Sequence, residues 1–471
     1  MCNKLSNPVS SMSESLPRHS HKLLLQTHYP EMYHPNLQSL NPKFPYLHPH
    51  QPPSLLLNST LFSLPLSNKP RNLRIIHCLF PTTTHLNVDV SGDLRVIFAA
   101  GGTGGHIYPA VAIADELKTQ NPKTQILFIG NPTGMESTAV PSAGYDFAAV
   151  ASAPLARPLL SPHNLIIFPY RLIKSLIESW RQLRDFDPQV VVGTGGYVSF
   201  PICLAASLKG LKLVIQEQNS VPGIANWVLS FFADRIFVAY DSTIDCFPRK
   251  KCVVCGNPIR LSLQQYVSKA VARMNFFPGL GEMGNSEAKV VLVLGGSLGA
   301  NAINISLLNL YYQMLMENMN LFIIWQTGVE AFNEMESLVK NHSRLILTPF
   351  LHSMDLAYAA ADLIVSRAGA MTCYEILATG KPSILIPSPN VAEGHQFKNA
   401  SLMADIAGSR VITEDELDST TLGTAIEGIL ENESLMAEMS ERALKAAKPN
   451  ASAEIVEHIL SLVKLSTAKE R

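Results

Sequence analysis

The chain runs to 471 residues, 47% of them hydrophobic, a length and composition that imply two domains with cores of their own. Its 37 Lys and Arg against 38 Asp and Glu give a formal net charge of −1, which excludes a general nucleic-acid binder, because that function needs a strongly basic face. Seven cysteines without regular spacing exclude a disulfide framework. Cys252-Val-Val-Cys255, lacking a second Cys or His pair at ligand spacing, reads as a strand entering Gly256-Asn-Pro rather than half a metal site.

Residues 1–88 differ from everything after them. They hold two acids, Glu14 and Glu31, against seven Lys or Arg, with eleven Ser, eight of the chain's 14 His and no periodic apolar face. A basic, acid-poor leader of this kind is expected to be an organelle transit peptide, and its Ser/Pro bias favours a chloroplast address. The apolar run 74–81 is too short for a bilayer span, which needs about 20 residues.

From Leu94 onward, apolar runs of strand length alternate with helical patterns, the signature of a doubly wound parallel sheet. Strands are expected at 94–100, 125–130, 189–193, 212–216, 235–239 and 252–255. Gly256-Asn-Pro-Ile-Arg260 then breaks the pattern. After the polar stretch 278–288 a second series follows at 289–294, 321–325, 344–347, 362–366 and 383–387. The junction falls near 256, giving an N-terminal domain over 93–256 and a C-terminal domain over 257–450. A last helix lies within 451–471, and its amphipathic pattern leaves open whether it braces the first domain.

Both series open on one design. Arg95-Val-Ile-Phe-Ala-Ala-Gly-Gly-Thr-Gly-Gly-His106 and Lys289-Val-Val-Leu-Val-Leu-Gly-Gly-Ser-Leu-Gly-Ala300 each run from a buried strand into glycines ahead of a helix. Glycines let backbone N–H groups approach a ligand and the helix presents its positive end, so each turn suits a diphosphate or a sugar hydroxyl. A dinucleotide is not expected, because the first turn lacks the third glycine and Ile126-Leu-Phe-Ile-Gly130 ends without a ribose-binding acid. The Gly-Lys-Ser/Thr phosphate loop is absent too, and no cofactor is implied. Asp185-Phe-Asp187 imitates a metal-binding Asp-x-Asp, yet it precedes the strand at 189–193 and so lies at the sheet's amino edge; no metal is expected.

Seven motifs stand in order: Gly101-Gly-Thr-Gly-Gly-His106, Gly195-Gly-Tyr-Val-Ser199, Gln216-Glu-Gln-Asn219, Gly256-Asn-Pro-Ile-Arg260, Gly295-Gly-Ser-Leu-Gly-Ala300, Ser366-Arg-Ala-Gly-Ala-Met-Thr372 with Glu375, and Gln396 with Asn399. In this order they resemble the MurG family of peptidoglycan glycosyltransferases, over roughly residues 93–465. The resemblance implies a GT-B fold, two Rossmann-like domains with parallel sheets facing a cleft. It also implies UDP-N-acetylglucosamine (UDP-GlcNAc) as donor and a polyprenyl-diphosphate-linked muramyl peptide as acceptor, joined by inverting, metal-independent transfer.

On the donor side, backbone N–H groups near Ala370, Met371 and Thr372 would face the diphosphate at a helix N-terminus, and Glu375 would accept hydrogen bonds from the ribose hydroxyls. Gly296 and Ser297 lie on the facing glycine turn; read alone, Ser297 is a helix N-cap. Arg260 would neutralise the departing phosphate, and Gln396 resembles the family residue that binds the donor sugar, with Asn399 supporting its loop. On the acceptor side, His106 is the candidate general base, Thr103 and Gly104 shape a diphosphate pocket, and Asn219 and Asn226 match positions near the acceptor.

A lipid-borne acceptor requires membrane contact. The run Leu165–Arg184 mixes large apolar groups, including Phe168 and Trp180, with four cations, among them Arg171 and Lys174, against one acid. This is the composition of an interfacial patch, or of an amphipathic helix packed on its own sheet. Two rival functions stay open: a plastid galactolipid synthase using UDP-galactose, and a catalytically silent sugar-nucleotide-binding scaffold.

Overall fold

The computed structural model of the chain describes residues 94–152, 167–280, 287–391 and 394–469. The leader 1–88, the first residues of the apolar-basic run, residues 281–286 of the polar stretch and Glu393 lie outside them.

The described residues form two all-parallel sheets. In the first, β1 (Arg95–Ala100), β2 (Gln125–Gly130), β3 (Asp146–Ala149), β4 (Val190–Gly195), β5 (Lys212–Glu217), β6 (Arg235–Val238) and β7 (Cys252–Val254) lie in the order β3-β2-β1-β4-β5-β6-β7. In the second, β8 (Lys289–Leu294), β9 (Leu321–Gln326), β10 (Leu345–Thr348), β11 (Leu363–Ser366), β12 (Ser383–Leu385) and β13 (Arg410–Val411) lie in the order β10-β9-β8-β11-β12-β13. Two strands escaped the sequence reading. β3 is a short, half-buried edge strand and β13 spans two residues, so neither carries an apolar run to betray it.

Central strands read as continuous apolar runs because helices cover both faces of each sheet. Along β1, Val96 and Phe98 point into one core layer with Ile107, Ile113 and Leu117 of the helix Gly104–Gln120, while Ile97 and Ala99 point into the opposite layer with Ile202 and Leu229. The same alternation divides β8, where Val290 and Leu292 serve one layer and Val291 and Val293 the other. Each large side chain so buried contributes about 1.5–3 kcal/mol.

The last helix, Ala451–Lys469, places Ile455, Val456, Ile459 and Val463 in the first sheet's core beside Phe98 and Leu117. Just before it, the Lys448 ammonium donates to the Val254 carbonyl at 3.0 Å. The chain leaves β7 at Gly256, whose φ of +89° and closeness to Tyr374, 2.0 Å from the Oη to an added Cβ, admit no side chain.

In each sheet the winding reverses beside the first strand, between β1 and β4 and between β8 and β11. Ligands of open α/β sheets bind at the carboxyl ends of strands at such a switch point. Both glycine turns lie there.

Candidate active site

The turns after β1 and β4 meet. Gly196 has a φ of +80°, and a Cβ on it would lie 2.3 Å from the Gly101 carbonyl oxygen. Glu136, fully buried, accepts from the Gly102 N–H at 3.1 Å and the Asn131 N–H at 2.8 Å and so holds the first turn open; no motif pointed to this carboxylate. His106 lies within the first turn of the helix Gly104–Gln120. Its Nδ1 is 3.1 Å from the Thr194 carbonyl oxygen and 3.2 Å from Gln218 Oε1. Burial holds its imidazole below the usual pKa of 6.5, against the upward pull of the Glu217 charge and of these two hydrogen bonds.

Glu217, at the end of β5, organises the loop that follows it. One carboxylate oxygen accepts from the Asn219 backbone N–H at 3.0 Å and Asn219 Nδ2 at 3.1 Å; the other accepts from the Gly223 N–H at 3.2 Å and Asn226 Nδ2 at 2.9 Å. The Asn219 amide is thus spent inside the protein, its Oδ1 taking a 3.3 Å hydrogen bond from Asn399 Nδ2. Asn226, in contrast, keeps a buried Oδ1 with no partner among the described residues.

Across the cleft, the helix Ala370–Thr379 starts from Gly369 with no side-chain cap, so its first amides are open to a ligand. Met371 packs in the second lobe's core, leaving only its backbone to bind. Glu375 is buried, takes the Tyr358 hydroxyl's hydrogen bond at 3.1 Å, and has its pKa raised by burial against the opposing effect of Arg260. Arg260 stacks its guanidinium 4.0 Å from the ring centre of Tyr108 in the first lobe, and its buried Nε has no hydrogen-bond partner among the described residues. Gln396 Oε1 accepts from the Ser388 N–H at 2.9 Å, which leaves its amide nitrogen to donate. Asn399 joins the lobes, its Oδ1 accepting from the Ser220 N–H at 3.1 Å and the Ser220 hydroxyl at 2.9 Å.

A cavity of about 790 Å³ lies between these walls. Thr103, His106, Phe168, Arg171, Asn219, Asn226, Ala370 and Gln396 line it, along with Glu217, Gln218 and His395. Gly104, Arg260, Gly296, Ser297, Met371, Thr372, Glu375, Lys174 and Trp180 are outside its wall. Ser297 is also not an N-cap. The next helix, Asn301–Leu308, begins from Ala300, and the glycine turn instead binds the loop after β9, where the Val329 N–H donates to the Ser297 carbonyl at 3.1 Å. Asp185 pairs with Arg184 at 2.8 Å and Asp187 with Arg95 at 2.6 Å. Among the described residues no group of three or more His, Cys, Asp or Glu could hold a metal ion.

The helix Phe168–Phe186 leaves Tyr170 71% and Ile173 58% exposed, with Ile177 and Trp180 also open to solvent. Trp227, Phe231 and Phe232, on and after the helix Ile224–Ser230, add exposed rings. Both helices contribute to the cavity wall, with Phe168 and Leu172 from the first and Ile224 and Val228 from the second, while the exposed side chains just named are outside it. No described helix is long and apolar enough to cross a membrane.

The glycosyltransferase family 28 N-terminal domain matches residues 96–238, and the family's C-terminal domain matches residues 290–456. The chain belongs to glycosyltransferase family 28. It is 40% identical over 369 residues to the UDP-N-acetylglucosamine--N-acetylmuramyl-(pentapeptide) pyrophosphoryl-undecaprenol N-acetylglucosamine transferase of Flavobacterium psychrophilum, covering 78% of this chain and 98% of the relative. The enzyme of the same name from Bacillus cereus, numbered 1, is 37% identical over 375 residues, 79% of this chain and 100% of the relative. The crystal structure of Acinetobacter baumannii MurG superposes with a TM-score of 0.60 at 28% identity, covering 79% of this chain and 99% of that one. The calicheamicin glycosyltransferase CalG4, 14% identical with a TM-score of 0.54 over 78% of this chain and 98% of its own, shares the fold. In this family 28 chain, His106, Glu217 and Asn226 lie in the N-terminal match and Ala370, Glu375 and Gln396 in the C-terminal one, so the cavity is built where the two matched regions face each other.

Proposed function

We propose that this chain is an inverting hexosyltransferase that moves GlcNAc from UDP-GlcNAc to the C4 hydroxyl of a polyprenyl-diphosphate-linked N-acetylmuramyl peptide, converting lipid I to lipid II. The observation that carries this reading is the single cavity whose walls bring His106 together with the uncapped helix start at Ala370 and with Gln396.

In this mechanism the donor diphosphate binds the open amides of residues 370–372, with Gly296 and Ser297 opposite. Glu375 accepts from the ribose hydroxyls, and the Gln396 amide orients the sugar. His106 takes the proton from the acceptor hydroxyl as that oxygen attacks the anomeric carbon, and its depressed pKa keeps the ring neutral, hence basic, near pH 7. As the C–O bond to UDP breaks, negative charge gathers on the diphosphate, where helix amides and the Arg260 guanidinium stabilise it. Protein groups therefore do the work of a divalent cation; a strict requirement for magnesium or manganese would count against this assignment.

The exposed rings and aliphatic chains of helices Phe168–Phe186 and Ile224–Ser230, with Arg171, Lys174, Arg181 and Arg184 beside them, suit a peripheral docking surface that feeds the lipid-linked acceptor to the cavity. The basic, acid-poor leader supports delivery to a plastid, which imaging of a fluorescent fusion tests. The decisive assay offers the purified full chain labelled UDP-GlcNAc and UDP-galactose with a synthetic lipid I analogue. GlcNAc transfer is expected; transfer of galactose alone, or no transfer with either donor, overturns the proposal.

A further inference from the structure

We propose that Asn257, Gln216 and Gln218 form a positioning relay that holds His106 in its Nδ1–H tautomer and leaves Nε2 as the proton acceptor. The proposal rests on the reading of His106 as general base and adds how the fold sets the ring for that work.

The polarity of the relay follows from one fixed point. A backbone carbonyl can only accept, so the 2.9 Å contact of Asn257 with the Gln218 carbonyl must use Asn257 Nδ2, leaving Oδ1 as the acceptor at the other end of that amide. Gln216 must then present Nε2 to Asn257 Oδ1, at 2.9 Å, and turn its own oxygen toward Gln218. That oxygen takes a short hydrogen bond from Gln218 Nε2, which also donates to the Thr194 carbonyl at 2.7 Å. Gln218 Oε1 is left facing His106 Nδ1 at 3.2 Å, and the Thr194 carbonyl faces the same nitrogen at 3.1 Å. Two acceptors aimed at one ring nitrogen require it to carry the proton. Nε2 is therefore the lone-pair nitrogen, and no hydrogen bond engages it among the described residues.

Cost and placement favour this reading. Thr194, Gln216, Gln218 and Asn257 are each at most 1% exposed, and burying three primary amides is unfavourable unless each is satisfied. The ring is also confined, since Cβ atoms on Gly195 and Gly196 would lie 3.0 Å from its Nδ1 and 3.3 Å from its Cδ2. Asn257 follows β7 at the lobe junction, three residues before Arg260, so the relay ties the base to the chain segment that carries the donor-side arginine. The titratable groups facing the ring are Glu217 on β5 and His395 on the helix His395–Ala407; Gln218 itself is uncharged.

The test is nitrogen-15 NMR of the full chain, with the His106 signals assigned by comparison with His106→Asn. Above the pKa, the protonated nitrogen is expected to be Nδ1; an Nε2–H tautomer overturns the proposal. Gln218→Glu, which puts a carboxylate on Nδ1–H, should raise the His106 pKa by about 1 unit, and Gln218→Met, which removes an acceptor, should lower it. Both should reduce kcat on the order of 10-fold, the scale expected for a partner that orients a histidine, with the KM for UDP-GlcNAc unchanged. Shifts of the same sign, or none in either variant, overturn the relay. If Gln218→Glu does not fold, the wild-type tautomer and the Gln218→Met titration decide. Expected NMR results with turnover unmoved would uphold the relay and remove His106 as the base, which separates this proposal from the functional reading beneath it.

Discussion

Replacing Glu217 with Gln gives a sharp test of the acceptor side. Each carboxylate oxygen receives two donors: the backbone N–H and Nδ2 of Asn219 on one, the Gly223 N–H and Asn226 Nδ2 on the other. Glutamine keeps only one oxygen, so whichever way its amide turns, two donors face an NH2 and two hydrogen bonds are lost. The surviving pair weakens from charge-assisted to neutral. At about 1.5–3 kcal/mol for a hydrogen bond to a charged group and about 1 kcal/mol for a neutral one, replacing four charge-assisted bonds by two neutral ones loses about 4–10 kcal/mol in a site that is only 1% exposed. For a lobe of this size the lower end of that range corresponds to a fall in Tm of about 10 °C. Asn219 and residues 223–226 line the cavity on the side proposed for the acceptor, so the acceptor KM should rise while UDP affinity stays within about twofold of wild type. Scanning calorimetry, acceptor titration and UDP calorimetry measure the three quantities. A Tm within about 2 °C of wild type, with an unchanged acceptor KM, would refute the hub role assigned to this carboxylate.

Glu375→Ala should weaken UDP binding on the order of 100-fold by calorimetry while leaving the circular dichroism spectrum unchanged, and an unaltered affinity would move the ribose elsewhere. Since the folded pKa of His106 lies below 6.5, the base is in its active, neutral form above that folded value. The acid limb of the kcat/KM profile should therefore fall below pH 6.5, and Glu217→Gln, which removes a neighbouring negative charge, should move it lower still; a wild-type limb above 6.5 contradicts the first statement, and an unmoved or raised limb in the variant contradicts the second. Paired Ile173→Glu and Ile177→Glu substitutions on exposed positions should cut co-sedimentation with anionic lipid vesicles by at least about 10-fold without changing UDP affinity, and undiminished vesicle binding would locate the membrane contact on another face.

Much of the architecture was legible because its signals are local. β1 and β8 announce themselves as unbroken apolar runs ending in glycines, since helices cover both faces of each sheet and the backbone must turn tightly at the switch point. The motif order was enough to nominate His106, Asn226, Ala370 and Gln396, which the fold places around one cavity. The sequence was silent where a residue's role is set by partners far along the chain. Glu217 and Gln218 stood inside a motif read for Asn219, yet it is Glu217 that gathers the loop's donors and Gln218 that faces His106, a residue 112 positions away. Glu136 carried no motif at all, and Ser297 had the right residue type for a cap but not the geometry.

Residue type and short-range periodicity determined, unaided, that this chain alternates strands with helices and places glycines at the carboxyl ends of the first strand of each sheet, because those properties depend on neighbours within a few positions. Which amide satisfies which carboxylate, whether Ser220 meets Asn399 across 179 residues, and on which sheet the final helix rests were decided only when parallel strand order brought distant segments together. Burial then made each remaining polar group find a partner, and those pairings depend on the packing of the whole fold rather than on any stretch of sequence.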